Sequence, residues 1–592
     1  MAKYTSLVDL WKRAIEAHPD RPLFGTKDPS SGEWRWTTYL EFGRAVDKLR
    51  ASFHELGVSQ GDKVALIANN RVEWAVACYA SYGLGAAFVP MYEAQAASEW
   101  DYILRDASAK VAICATEAIA NKVCAFELPE LKHVVVLDPA ASARKVGAVE
   151  VHRYAELLRT SATFAAIEPD PDDIASLIYT SGTTGQPKGV MLTHKNIASN
   201  VNACAEFLPM TKDDRSLSFL PWAHVFGQTA ELHMFLATGA SMALAESVEK
   251  ILPNLAEVKP TVLISVPRIF NRIYTAVQAQ IKGRPALIQN MVKRAFASKR
   301  ALRDEGSISL LDKINLTVTD KLVFSKVRAR FGGRLRYAVS GGAALSPEVA
   351  EFVDGLGIAV YEGYGLTETA PVLSVNRPGY HRIGTVGQPI PGVRIVIDPE
   401  GEIVAYGPNI MKGYYKKPEE TAQVMTADGG FRTGDMGKLE DGYLSITGRI
   451  KEQYKLENGK YVVPTPLEEQ VKLSPFVANV MVYGDNRPYN IAIVVAAMPT
   501  LEEWAQANGV SAKGEALLAS PKVRALYTSE LNAMSEKFKG FESIRDFLLV
   551  LEDFTTDNGM LTPSLKLKRR AVIDAYAAAI DKLYAERNKS AA

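Results

Sequence analysis

The chain has 592 residues, 47% hydrophobic and 23% charged, with 68 Lys and Arg against 67 Asp and Glu. That length exceeds one ordinary domain and allows large cores, and the composition is that of a globular protein rather than a disordered one. The net charge of +1 excludes a global electrostatic pull toward nucleic acid or membrane.

The opening twenty residues carry charges every few positions and read as an amphipathic helix, without the apolar core or cleavage site of a signal peptide. Helix-length segments at 39–56 and 97–106 then alternate with short apolar runs at 63–67, 87–90, 111–114 and 133–137. That alternation predicts a parallel sheet with helices on its faces. The longest apolar region, 74–90, is broken by Cys, Tyr and Gly and reads as a buried helix, turn and strand. No run of 18 apolar residues is present, so no transmembrane helix is predicted. Four cysteines (Cys78, Cys114, Cys124, Cys204) stand far apart without a CxxC pair. They read as reduced thiols of a cytoplasmic protein, not a disulfide or zinc framework.

Next comes a short apolar run, ASLIY at 175–179, feeding YTSGTTGQPKG at 179–189. A strand followed by a loop of Ser, Thr and Gly suits polyphosphate: glycines admit the backbone, hydroxyls donate, and Lys188 adds charge. It is not a Walker loop, because Lys188 follows Pro187 and precedes Gly189. In isolation it also fits a polar turn.

Residues 281–331 are helical in composition, and 282–330 hold twelve Lys or Arg against four Asp or Glu. The αβ pattern returns with RYAVSGG at 336–342 and GIAVYEGYG at 357–365. Residues 394–449 are strand- and turn-rich. Beyond them lie further strands (479–483, 490–496) and a helix (571–587), which places a domain boundary at 448/449. The expected class is therefore α/β: a large N-terminal domain of helix-flanked sheets with a β-rich subdomain (1–448), then a small α+β C-terminal domain (449–592).

Several motifs follow the first in order: LPWAHVFGQ (220–228), SGGAALSPE (340–348), YEGYGLTET (361–369), GEIVAYGPNIMKGYYKKPEET (401–421), FRTGDMGKLEDGYLSITGR (431–449) and LTPSLKLKRR (561–570). Together they resemble the acyl-adenylate-forming superfamily of acyl-CoA synthetases, peptide-synthetase adenylation domains and luciferases, over nearly the whole chain. The resemblance implies ATP, Mg2+ and CoA as partners in the chemistry. Thr180, Ser181, Gly182, Thr183, Thr184 and Lys188 would meet the phosphates. Glu368 matches the family's magnesium ligand, flanked by Gly363, Tyr364, Gly365 and Thr367. Gly341, Gly342 and Ala343 would offer a bare surface to the adenine. Two placements fit Tyr361 and Tyr364: flanking the base, or packing in the core.

Asp435 matches the acid that accepts from the ribose hydroxyls, and Arg449 an arginine that reaches the nucleotide. Lys451 matches the hinge between the domains, which makes the small domain mobile. Lys566 matches the catalytic lysine; Leu565 stands where the family has Gly, and Lys568, two residues on, is the alternative register. Residues 455–464 depart from the usual glycine-pair loop. His224, with Trp222 beside it, would wall the carboxylate pocket; the attacking carboxylate is already ionised and needs no base.

Residues 259–274, the basic stretch after them, and 448–464 resemble the long-chain acyl-CoA synthetase branch. The expected reaction joins a long-chain fatty acid to CoA through acyl-AMP. Two rivals are a fatty acyl-AMP ligase serving a carrier protein and a non-catalytic nucleotide- or lipid-binding protein. The basic stretch 282–330 fits either a peripheral contact with anionic membrane or a solvated helical surface.

Overall fold

The computed structural model describes residues 4–180, 186–562 and 566–591. Its largest element is a nine-stranded sheet. In spatial order the strands are Gly413–Tyr414, Lys188–Thr193, Ile174–Thr180, Ala87–Met91, Lys63–Ile67, Val111–Cys114, His133–Val136, Val149–Arg153 and Arg144–Val146. The six from Ile174–Thr180 to Val149–Arg153 run parallel. Antiparallel pairing closes both sides. The inner strands are nearly continuous apolar runs, as burial on both faces demands. Ala87–Met91 and Val111–Cys114 are buried at every residue.

The region 74–90 resolves into the helix Val72–Tyr82, buried at every position from Trp74 on, and the strand Ala87–Met91. Gly85 turns the chain between them at φ +66, a conformation that favours glycine. The preceding helix, Tyr39–Glu55, starts where Thr38 and Glu41 cap each other's backbone N–H groups.

A five-stranded sheet carries Val262–Ser265, Tyr337–Ser340 and Ala359–Gly365 in parallel, followed by Val372–Val375 and Gln388–Pro389. A four-stranded antiparallel sheet (Arg394–Ile397, Glu402–Tyr406, Phe431–Glu440, Tyr443–Arg449) forms the β-rich part. After it, a three-stranded sheet (Val477–Tyr483, Asn490–Ala496, Ile544–Val550) carries cores of its own on both faces. This last part touches the larger one through Leu473 and Met534, which join the core around Phe352, and through Lys537 beside Glu348 at 3.5 Å.

The basic stretch is a helical insertion: Pro267–Lys282, Ala286–Glu305 and Leu310–Thr319. Many of its cations are paired within the protein. Arg294 meets Asp312 at 2.7 Å, Arg328 holds Asp320 with both terminal nitrogens at 2.8 Å, and Arg300 pairs with Glu351. The insertion also exposes apolar side chains. Leu310, Leu311, Ile314, Val318 and Leu322 are all exposed, the first two at 73% and 67%. Among the described residues, no helix is long and apolar enough to cross a membrane.

Candidate active site

Ile174–Thr180 and Lys188–Thr193 pair antiparallel, with Thr180 opposite Lys188. The phosphate-type motif is therefore a hairpin whose base is this pair. Ser181, Gly182, Thr183 and Thr184 lie outside the described residues. Edge pairing brings Tyr414 opposite Val190, and Tyr414 then does two things at once. Its ring lies under the Lys188 ammonium, 5.1 Å from the centroid, and its hydroxyl donates to Glu368 Oε1 at 2.9 Å. Burial, then the charge of Glu368, pushes the Tyr414 phenol well up, so it stays a donor. Sequence reasoning quoted the motif containing Tyr414 and passed over the residue. Its only signal was the aromatic pair after Gly413.

Glu368 sits in the one-turn helix Thr367–Thr369, and its carbonyl accepts from Met411 N–H at 2.8 Å. A magnesium ion held mainly by phosphates and water takes one or two carboxylates. Glu368, half-buried and with one oxygen steadied by Tyr414, fits that demand.

Asp435 and Arg449 are directly opposite on neighbouring strands. Asp435 is 3% exposed. Its Oδ1 accepts from Arg449 Nε at 2.8 Å and its Oδ2 from Tyr364 Oη at 2.7 Å. Burial, then the Asp435 charge, holds the Tyr364 phenol far above its ordinary range.

Tyr361 takes the core placement: it is buried, with its ring against Tyr337 and His381. At Gly341, a Cβ would stand 2.9 Å from the Phe226 ring, so the bare face expected for adenine is occupied by a side chain there. Gly342 and Ala343 are exposed beyond the end of Tyr337–Ser340, where open α/β sheets bind ligands. Gly365 has a packing reason instead: a Cβ would lie 1.8 Å from the Pro371 carbonyl oxygen. Gly363 packs near Val375, and Thr367 is buried.

Trp222 is corrected from pocket wall to core: fully buried, it packs on Phe24 and Trp74. Its backbone N–H donates to Asn70 Oδ1 at 2.8 Å, which pins the turn that presents His224. His224 Nδ1 accepts from Phe226 N–H at 3.2 Å. That bond leaves Nε2 to carry the proton of the neutral ring. Burial, then the charge of Lys566, pushes the His224 pKa down to about 3.

Lys566 reaches the same place from the small domain. Leu561 and Leu567 bridge, and Thr562 N–H donates to the Lys566 carbonyl at 2.8 Å, which fixes Lys566 beside Thr562. Its pKa is lowered by burial and by Arg449, against the opposing pull of Asp435, Glu368 and Glu452. The side chain is solvent-accessible, but that solvent is the water of a cleft crowded by these groups, which is why desolvation still dominates. Lys568 is half-buried, and its backbone N–H bonds the Met560 carbonyl. Arg569 anchors this segment, its guanidinium gripping Glu468 at 2.8 and 2.5 Å. Lys451 is exposed in the single turn Ile450–Glu452, directly after Arg449.

The described residues thus bring Lys188, Glu368, Asp435, Arg449, His224 and Lys566 around one cleft, with Tyr414 and Tyr364 bracing the two carboxylates. The chain is 34% identical over 564 residues to the long-chain-fatty-acid–CoA ligase FadD15 of Mycobacterium bovis, covering 93% of each protein. It is 33% identical to the peroxisomal long chain acyl-CoA synthetase 6 of Arabidopsis thaliana, covering 98% of this chain and 86% of that one. Among solved structures, the adenylation domain of a carboxylate reductase from Mycobacterium chelonae superposes with a TM-score of 0.79 at 25% identity, over 98% of this chain and 91% of that one. Residues 11–415 match the model of the AMP-binding enzymes and residues 451–588 that of the AMP-binding enzyme C-terminal domain, so the chain belongs to the AMP-binding enzyme family.

Proposed function

We infer that this chain is a long-chain fatty acid–CoA ligase, which converts fatty acid, ATP and CoA into acyl-CoA, AMP and pyrophosphate. The observation that carries the reading is the meeting of Lys566 with Asp435, Glu368 and His224 in one cleft. The long-chain ligases that match over nearly the whole chain support the choice of acid.

In the first step the ionised carboxylate attacks the α-phosphorus of ATP, and pyrophosphate leaves. Lys188, Thr180 and the loop after it take the phosphates, with Lys566 set against charge building at the α-phosphate. Asp435 accepts from the ribose, while Arg449 and Tyr364 hold its carboxylate in place. Glu368 would hold Mg2+, which would supply neutralisation of the phosphate charge. The Nε2–H of His224 is the donor available to the acid's second oxygen. Rotation about Lys451 then withdraws Lys566, and the CoA sulfur attacks the acyl carbon with AMP as the leaving group. The exposed single turn at Lys451, between two sheets with separate cores, suits a pivot.

The acid is collected from an anionic membrane surface by the exposed apolar face at 310–322, flanked by exposed Lys313 and Lys321. A helix face with these features lies in the interface. The deciding test is turnover of C16 and C18 acids with ATP, Mg2+ and CoA as the sole acceptor. Acyl-CoA and stoichiometric AMP are expected. Acyl-AMP that accumulates without thioester would place the chain among carrier-loading ligases instead.

A further inference from the structure

The far side of the nine-stranded sheet carries a second cluster of chemistry-bearing side chains. His133 opens the strand His133–Val136, and Glu150 and His152 lie on its parallel neighbour Val149–Arg153. In register, His133 faces Glu150 and Val135 faces His152. Alternation then puts His133, Glu150 and His152 on one face. His133 Nδ1 stands 3.1 Å from His152 Nε2. Glu150 Oε2 is 3.7 Å from the first nitrogen and 3.9 Å from the second.

We propose that His133 Nδ1, His152 Nε2 and Glu150 Oε2 form a binding site for a late first-row divalent cation of the zinc class. The circle through three atoms at those separations has a radius of about 2.1 Å, the bond length zinc makes to nitrogen and carboxylate oxygen. Two imidazoles and one carboxylate are the donor set of a zinc centre with an open fourth position, filled by water on the exposed side. No other cluster of three such groups was found among the described residues.

The surroundings favour the metal-ready tautomer. The Leu56 carbonyl favours a proton on the His133 ring. A ligand imidazole that donates its second N–H to a backbone carbonyl is held in orientation and directs its free lone pair at the metal. Without metal, His152 Nε2–H donates to that lone pair. With metal, His152 takes its other neutral tautomer, the Nε2 proton exchanging through water for one on Nδ1, and both lone pairs point at the ion. Lys110, a cation whose field reaches His133, is tied to Asp62 at 2.9 Å and to the Gly57 carbonyl. Glu150 and Glu156 supply negative potential.

The site is separate from the nucleotide cleft. Four inter-strand steps lie between Ile174–Thr180 and His133–Val136, about 19 Å at the usual strand spacing. Its effect is a clip: the ion joins two strands at the last parallel pairing before the sheet edge, which the Arg144–Val146 hairpin closes.

The test uses the full chain without an affinity tag, stripped with chelator and free of nucleotide. Zn2+ is titrated against a chromophoric competitor and Co2+ is followed by its visible ligand-field bands. One equivalent per chain is expected, with a rise in the thermal midpoint that grows with free Zn2+. His133→Ala and His152→Ala should each weaken binding at least tenfold, and Glu150→Gln should weaken it less. Fatty acid adenylation, seated across the sheet, should stay at the parent rate and so reports that each variant is folded. Failure of the parent chain to bind one equivalent overturns the proposal. So does binding that survives His133→Ala and His152→Ala combined.

Discussion

His224 and Lys566 stand far apart in the chain and meet in a single cleft. After burial, the nearby ammonium is the second force holding the imidazole neutral. The pairing defines what each can do. A neutral His224 with Nδ1 occupied by Phe226 N–H is a hydrogen-bond donor at Nε2, not a base. On the proposed mechanism, this arrangement of the small domain is the one that would serve adenylation.

Lys566→Ala should slow pyrophosphate release by 10²- to 10³-fold, the range for losing one preorganised donor at developing charge. Thioester formation from supplied acyl-AMP and CoA should change little, because the lysine is withdrawn in that step. Lys568→Ala should leave both half-reactions near the parent rate. The pKa of Lys566 is lowered, so its charged form disappears as pH rises through a value below the ordinary lysine range. Adenylation should fall along an alkaline limb in that range, and Lys566→Arg should move the limb upward. A limb unchanged in Lys566→Arg assigns it to another group.

How much of this was legible beforehand depends on the partner each residue needs. The inner strands were readable because burial on both faces leaves a local signature: 63–67 and 490–496 match the observed strands at both ends. The positions of Lys188, Glu368, Asp435 and Lys566 were readable through their motifs. Trp222 and Tyr361 were not, because a motif aromatic looks the same whether it lines a pocket or packs on Phe24 or Tyr337. The basic stretch keeps both of its readings, a membrane contact and a solvated surface. Composition counts Arg294 and Arg328 along with Asp312 and Asp320 but does not show that they pair. The exposed apolar face at 310–322 had no composition signal at all, since its five side chains are ordinary core residues by type.

Asp435→Asn keeps the shape and removes the charge that faces Arg449. ATP affinity should fall at least tenfold, which is about 1.4 kcal/mol, while the KM for the acid stays near its parent value. The effect on the thermal midpoint should be modest: the Arg449 side chain is 40% exposed, and water screens the charge left behind. Isothermal titration with a non-hydrolysable ATP analogue separates the two. An unchanged ATP affinity would remove Asp435 from the ribose.

Gly365→Ala addresses packing rather than chemistry. Its Cβ would sit 1.8 Å from the Pro371 carbonyl oxygen, a contact that backbone movement alone can relieve. Since Glu368 follows three residues later, the shift should misplace it. The expected result is a lowered thermal midpoint together with loss of adenylation that excess Mg2+ does not restore.

Sedimentation with vesicles containing anionic lipid tests the apolar face. Leu311→Glu with Ile314→Glu should abolish co-sedimentation and leave turnover of a detergent-dispersed acid unchanged. Lys313→Glu with Lys321→Glu should weaken binding and remove its salt dependence. Vesicle binding that persists in the first double variant would return this face to an ordinary solvated surface.

Glu231 gives a stability prediction with a defined sign. It lies in the π-helix Gly227–His233 that follows the His224 turn, fully buried, with its carboxyl oxygens accepting from Ser216 Oγ at 2.8 Å and Ser218 Oγ at 2.5 Å. Burial raises its pKa from 4.5 to about 8, against those hydroxyls. The folded chain therefore keeps a proton that the unfolded chain gives up. Below the unfolded value this stabilisation is fully present, and it is lost as pH rises toward 8. At 1.36 kcal/mol per unit the loss is at most about 5 kcal/mol. Glu231→Gln has no proton to lose, so its thermal midpoint should decline less than the parent's between pH 5 and pH 8. The two curves should diverge most at the alkaline end. Because the same π-helix continues from the turn bearing His224, the parent chain should also lose adenylation rate over this interval relative to Glu231→Gln. Parallel midpoint curves would mean that Glu231 is already ionised in the folded protein and that its two serine contacts hold a carboxylate.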